Sequence, residues 1–164
     1  SPLLFNLYIN DLAKYLKSLN IGVSFVNGKI CILLYADDIV LLAETANDLQ
    51  VLLDALHDWC CTNDMNINSM KSNIVHFRPL SVPVTDFMFM CGDANLSIVN
   101  KYTYLGIVLT EHLDYNVSAK CVAQSASRAL GLLIAKCKTR GRSTLGHNKL
   151  ISRSSDFSHI FFSI

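Results

Sequence analysis

The chain has 164 residues, 51% hydrophobic and 16% charged, with a mean hydropathy of +0.34 and a formal net charge of +1. That length supports one domain with a real core and not comfortably two, and no run reaches the roughly 18 apolar residues of a membrane-spanning helix. No basic start leads into an apolar block, so no secretory signal is expected and the setting reads as intracellular, nuclear or cytoplasmic.

Residues 1–19, SPLLFNLYINDLAKYLKSL, place Leu4, Phe5, Tyr8, Ile9, Leu12, Leu16 and Leu19 at spacings of three and four. That is the period of a helix with one buried face, and Pro2 suits its start. GVSFVNGKICILLYADDIVLLAE then predicts two strands joined at Asn27-Gly28, with a second turn at Asp37-Asp38. Thr45, three residues before Asp48, looks like a helix cap, and Leu49, Leu52, Leu53, Leu56, Trp59 and Cys60 mark an amphipathic helix ending near 63–66. SNIVHFRP (72–79) and VTDFMFMC (84–91) predict strands around a Pro-containing turn, and YTYLGIVL (102–109) a third. Val117, Cys121, Ala126, Leu130, Leu133, Ile134 and Cys137 predict a long helix over 115–138. The stretch from His147 onward is Ser-rich and loses helical spacing, which fits either disorder or a departure from native coding sequence.

Charge is unevenly placed: residues 1–114 hold 6 Lys or Arg against 12 Asp or Glu, and residues 115–164 hold 8 against 1. The basic segment suits a phosphate backbone, or equally a solvated helix face. The six cysteines, Cys31, Cys60, Cys61, Cys91, Cys121 and Cys137, contain no C-x-x-C pair, so free thiols in a reducing compartment are expected. The five histidines show no metal-ligand spacing, and no Gly-rich phosphate loop is present.

Asp37 and Asp38 lie side by side within LLYADDIVLL, an otherwise apolar run. Successive side chains of a strand point to opposite faces, so two adjacent carboxylates approach a common region only at a bend. A pair at a hairpin tip can hold a divalent cation without burying bare charge. The plain alternative is a solvated Asp-Asp turn.

Further matches in chain order give the pair its context. Ser1-Pro2-Leu3-Leu4-Phe5-Asn6-Leu7-Tyr8-Ile9-Asn10-Asp11-Leu12 resembles the latter part of a template-contacting motif of reverse transcriptases, which normally opens with Gln-Gly a few residues earlier. Tyr35-Ala36-Asp37-Asp38 resembles their catalytic hairpin in the form carried by non-LTR (LINE-type) retrotransposons. Met65-Asn66-Ile67-Asn68-Ser69-Met70-Lys71-Ser72 is similar to the segment ending in Lys-Thr or Lys-Ser, and Tyr102-Thr103-Tyr104-Leu105-Gly106 to the strand that grips the primer. The resemblance covers residues 1 to about 140.

The resemblance implies an α+β fold: a partial polymerase palm over 1–110, with helices on one face of an antiparallel sheet. A thumb-like helical segment over 111–140 and a divergent or disordered tail over 141–164 would follow. It further implies Mg²⁺ or Mn²⁺ at Asp37 and Asp38, and Lys71 as the proton donor to leaving pyrophosphate. Tyr35 and Ala36 would lie near the primer end and incoming nucleotide, and Tyr104, Leu105 and Gly106 would form the primer grip. Lys120 and Arg128, with Lys136, Lys138 and Arg140, would contact the backbone. RNA template, DNA primer and dNTPs are the implied partners. Taken alone, Lys71 is equally a surface lysine, and Tyr104 to Gly106 a core strand running into a turn.

The family's metal site also draws an aspartate from a strand upstream of the Ser-Pro motif, and this chain starts after it, at Ser1 and not Met. The expectation is a fragment that is catalytic by ancestry and inactive in isolation, because phosphoryl transfer depends on positioned charge. A domesticated, non-catalytic binding module is the alternative. An unrelated palm-like protein of nucleotidyl cyclase type is a third.

Overall fold

The computed structural model describes residues 2–26, 28–139 and 159–163. Helix α1 (Pro2–Ser18) buries Ile9, Leu12 and Leu16 and leaves Leu4, Leu7 and Tyr15 exposed. Strands β1 (Val23–Phe25) and β2 (Gly28–Ile30) form a separate antiparallel pair closed by Phe25 opposite Gly28. The bend therefore falls one residue before the expected Asn27-Gly28, and Asn27 itself lies outside the described residues.

Strand β3 (Ile32–Tyr35) pairs antiparallel with β4 (Asp38–Ala43). Helix α2 (Ala46–Thr62) follows, its start held by Thr45 Oγ1 accepting from Asp48 N at 3.1 Å. This cap satisfies one of the amide groups every helix start leaves unpaired. Leu49, Leu52, Leu53, Leu56 and Cys60 face the core, and the Asn63 N–H closes the helix onto Trp59 O and Cys60 O. Tyr8 fastens α1 to α2, its ring edge-on to Trp59 at 5.7 Å and its hydroxyl donating to Asn63 O at 2.8 Å.

Strands β5 (Asn73–His76), β6 (Phe89–Cys91) and β7 (Ala94–Ile98) come next, then β8 (Lys101–Tyr104) and β9 (Ile107–Thr110). Helix α3 (Tyr115–Thr139) and strand β10 (His159–Ser163) complete the order. The main sheet has six strands in the order β3-β4-β10-β5-β7-β6, and β8-β9 is a separate hairpin. Strand β4 alternates between two cores. Ile39, Leu41 and Ala43 join α1 and α2 on one face, whereas Val40 joins Val75 on the other, under Phe77, Tyr102, Tyr104 and Leu109. Each fully buried side chain of this kind is worth roughly 1.5–3 kcal/mol of transfer free energy.

Several expectations need correction. The fold is α+β with α1 and α2 on one sheet face, but the sheet is mixed: β4–β10, β10–β5 and β5–β7 are parallel. Residues 102–109 are not one strand but two, because Leu105 (φ 49°) and Gly106 (φ 82°) turn the chain back on itself. Of 84–91 only Phe89–Cys91 joins the ladder, and β7 was not anticipated. Within the tail, residues His159–Ser163 are a strand. The remainder of the tail lies outside the described residues.

Candidate active site at the hairpin bend

The β3–β4 hairpin closes with Tyr35 opposite Asp38, so Ala36 and Asp37 are the two central residues of its turn. A two-residue loop that matches strand twist needs positive φ at its first central position, and Ala36 supplies it at φ 51°. For a residue with a Cβ this costs about 1–2 kcal/mol, a local strain of the sort found at functional sites. The anchorage that offsets it is close by: Ile39, Val40 and Leu41 are all at most 1% exposed. Tyr35 and Ala36 are exposed at the tip, and Asp37 and Asp38 are half-buried.

Tyr104, at the end of β8, lies against this bend. Burial raises its phenol above the ordinary value, and the neighbouring Asp38 charge and then Tyr35 push in the same direction. Beyond it, Leu105 and Gly106 form the β8–β9 turn. Leu105 is 49% exposed, and nothing lies within 4 Å of where a Gly106 Cβ would sit.

Lys71 sits in a run of tight turns, its amide donating to Asn68 O at 3.1 Å, and its side chain is exposed. It precedes β5 by two residues. Strands β4, β10 and β5 run parallel, so Lys71 lies at the same sheet end as Asp38. Two strand spacings, about 10 Å, separate the two strands. The Lys71 carbonyl accepts from Tyr102 Oη at 3.5 Å and from Asn73 Nδ2 at 3.3 Å. Sequence reasoning quoted Tyr102 but assigned it nothing. The signal was present in the Y-x-Y spacing, which puts Tyr102 and Tyr104 on one face of a strand.

Tyr35, Ala36, Asp37 and Asp38 therefore come together with Tyr104 near them, Lys71 lies at that end of the main sheet, and Leu105 and Gly106 follow Tyr104 in the separate β8–β9 hairpin. Lys120 and Arg128 stand apart on an exposed stretch of α3. Arg128 Nη2 donates to Ser125 Oγ at 3.1 Å on the same helix, and α3 meets β9 through Ser118 Oγ, which accepts from Val108 N at 3.3 Å. The side chain of Lys138, and Arg140, fall outside the described residues.

Two half-buried carboxylates at a hairpin tip suit a hydrated Mg²⁺ or Mn²⁺, since Mg²⁺ typically takes one or two carboxylates and completes its shell with water and phosphate oxygens. They do not make a closed cage. Among the described residues no group of three or more His, Cys, Asp or Glu could hold a metal ion. A recess of about 230 Å³ lined by His57, Cys60, Cys61, Met65, Cys91 and Asp93 lies between the end of α2 and the β6–β7 turn and does not include Asp37 or Asp38. Burial pushes the thiols of Cys60 to about 12 and Cys91 to about 11, so both stay protonated. Among the described residues Cys31, Cys60, Cys61, Cys91 and Cys121 are free thiols.

The family profile described as reverse transcriptase (RNA-dependent DNA polymerase) matches residues 1–109, about two thirds of the chain. The chain is also 41% identical over 71 residues to the Retrovirus-related Pol polyprotein from type-2 retrotransposable element R2DM of Drosophila melanogaster. That match covers 43% of this chain and 7% of the length of the relative. No solved structure matches significantly.

Proposed function

The chain belongs to the reverse transcriptase family, on its non-LTR retrotransposon side, and from that premise we propose that it carries the catalytic hairpin and primer-facing part of a retrotransposon polymerase. In this reading residues 1–110 are palm, 111–140 begin the thumb and 141–164 follow as a divergent tail. The work of the intact polyprotein is RNA-templated DNA synthesis from a DNA primer and dNTPs, inside the cell. The observation that supports the reading is the strained Tyr35–Asp38 hairpin, whose following strand residue Val40 shares a small core with Tyr104.

Asp37 and Asp38 would hold a divalent cation, which when bound would supply charge stabilisation for phosphoryl transfer. The chain's own residues do the rest. Tyr35 and Ala36 form an exposed floor under the primer end and incoming nucleotide. Tyr104, Leu105 and Gly106 set the primer strand from the facing turn. Lys71, exposed at the same end of the sheet, is suited to give a proton to the pyrophosphate oxygen as it leaves. Lys120 and Arg128 supply backbone-neutralising charge on α3, with Lys136, Lys138 and Arg140 beside them in sequence.

Two carboxylates alone hold Mg²⁺ weakly, so the isolated 164-residue chain is expected to give no primer extension on a primed RNA template. The decisive test uses the intact polyprotein. Asp37→Ala or Asp38→Ala should lower extension by roughly 10²–10³-fold or more while template binding stays within a factor of about three. Extension that survives both substitutions would overturn the assignment. Salt-sensitive RNA binding with no extension by the unsubstituted polyprotein would favour a binding module instead.

A further inference from the structure

Helix α2 and strand β6 bring three of the cysteines to one place. Gln50 holds the two elements against each other: its Nε2 donates to Met90 O at 2.9 Å, and its Oε1 accepts from Met90 N at 3.0 Å. Cys60 and Cys61 at the end of α2 and Cys91 at the end of β6 line the same recess of about 230 Å³. They differ in access. Cys60 and Cys91 are 3% and 5% exposed, whereas Cys61 is open to solvent. His57 lies one turn before Cys61 on the same face of α2, and its Nε2 is 3.5 Å from Cys61 Sγ. The same ring lies directly over Gly92, so close that no Cβ would fit there. One imidazole thus stands between the exposed thiol and the β6–β7 turn, which starts at Cys91.

We propose that this recess is a peroxide-sensitive thiol site, in which Cys61 is oxidised first and is then joined to Cys91 as a reversible disulfide. With its own proton on Nδ1, His57 accepts the Cys61 proton at Nε2, and the thiolate is the nucleophilic form of cysteine. The Cys61 sulfur attacks one oxygen of hydrogen peroxide and the O–O bond breaks. The departing hydroxide takes the proton back from His57 and leaves as water. Cys61 is now a sulfenic acid, and His57 is neutral again. Cys91 Sγ then attacks the Cys61 sulfur, the S–O bond breaks, and the Cys91 proton passes by way of His57 to the departing oxygen. Two thiols lose two electrons, one peroxide gains them, and two waters leave. Cys91 suits the second step only, because burial pushes its thiol up to about 11 and keeps it from competing for oxidant. Cys60 is not the partner of Cys61, since adjacent side chains on a helix do not face each other. The bond would close residues 61–91, Lys71 among them, into a covalent loop between α2 and β6. This site is independent of the polymerase reading.

The test uses the full chain, reduced and then freed of reductant. In the unsubstituted chain, Cys61 should react with peroxide and with iodoacetamide at least about tenfold faster than Cys121, the exposed thiol on α3. One equivalent of peroxide should lower the mass by two hydrogen atoms. Digestion without reductant should then yield a Cys61–Cys91 peptide pair that dithiothreitol separates. Cys91→Ser should stop at the sulfenic acid, trapped on Cys61 by dimedone, and Cys60→Ser should leave the link in place. His57→Gln should slow both reactions of Cys61 by at least about tenfold and leave those of Cys121 unchanged. Equal reactivity of Cys61 and Cys121, a link formed only between two chains, a Cys60–Cys91 pair in place of Cys61–Cys91, or undiminished rates in His57→Gln would each overturn the proposal.

Discussion

Gly106→Ala isolates the backbone cost of the β8–β9 turn. Gly106 has φ 82°, and a Cβ placed there would meet no atom within 4 Å. The substitution therefore adds no clash and removes no contact. What remains is the penalty for an L-residue at positive φ, about 1–2 kcal/mol, reduced by the 0.4–1 kcal/mol gained from a less flexible unfolded chain. The net expectation is a loss of about 1 kcal/mol. With a urea m-value of about 1–3 kcal/mol/M, the midpoint should fall by about 0.5 M with no change in slope. Gly92→Ala is the internal comparison. It also has positive φ (60°), but its Cβ would run into the His57 ring. It should cost clearly more, and His57→Ala in the same chain should recover the excess. A neutral or stabilising Gly106→Ala would refute the reasoning, because it would mean that the chain does not turn through positive φ between Tyr104 and Ile107.

Three other outcomes follow from particular contacts. Thr45→Ala removes the acceptor for Asp48 N and should lower stability by about 1 kcal/mol, read as a fall in melting temperature with α2 still formed. His76 has its pKa lowered, by burial first and then by Arg78, with Glu111 opposing, and its Nδ1 accepts from Thr85 N at 3.2 Å. As pH falls below about 6.5 the unfolded chain takes up this proton first. Stability should therefore drop from that point down through the folded pKa, and His76→Gln should flatten this part of a melting-temperature profile taken between pH 7.5 and 5. Glu111→Gln strips the counterion from Arg78, whose Nη2 lies 2.8 Å from Glu111 Oε2 with side chains 12% and 23% exposed. Partial exposure keeps the loss below the 3–5 kcal/mol of a fully buried pair, at about 1–3 kcal/mol. Because Arg78 Nη1 also donates to Val82 O at 2.6 Å, proteolysis within residues 79–84 should quicken in parallel.

The helices and the carboxylate hairpin were legible in the sequence because their signals are local. Leu12 and Leu16 repeat at helical spacing, Thr45 precedes Asp48 by the interval of a cap, and two adjacent aspartates in an apolar run require a bend. What was not legible depended on distant partners or on strain. Leu105 is bulky and carries no turn signal, yet it takes φ 49° because Tyr104 and Ile107 must pair across it. Ala94–Ile98 (ANLSI) does alternate apolar and polar residues, but it is short, and its pairing with β5 and β6 depends on partners distant in the chain or across a turn. The same limit applies to β10. Nothing local in HIFFS states that its neighbours are β4 and β5, more than 80 residues earlier in the chain.

The apolar residues around the aspartates have a mechanical role. Strand β4 is buried on both faces from Ile39 onward, so its side chains are locked between α2 on one side and the β8–β9 hairpin on the other. Moving the acidic pair one residue into this strand would place a carboxylate at position 39, where the present side chain is 1% exposed. An unpaired charge there would protonate or unfold the strand. Moving it one residue back would put one carboxylate at the exposed position 36 and leave none at 38, where the strand ladder begins. Positions 37 and 38 are where a carboxylate remains half-solvated while its backbone is held by fully buried neighbours. On the proposed reading that combination suits a cation-holding pair, because the oxygens stay reachable from solvent while their backbone is held in place.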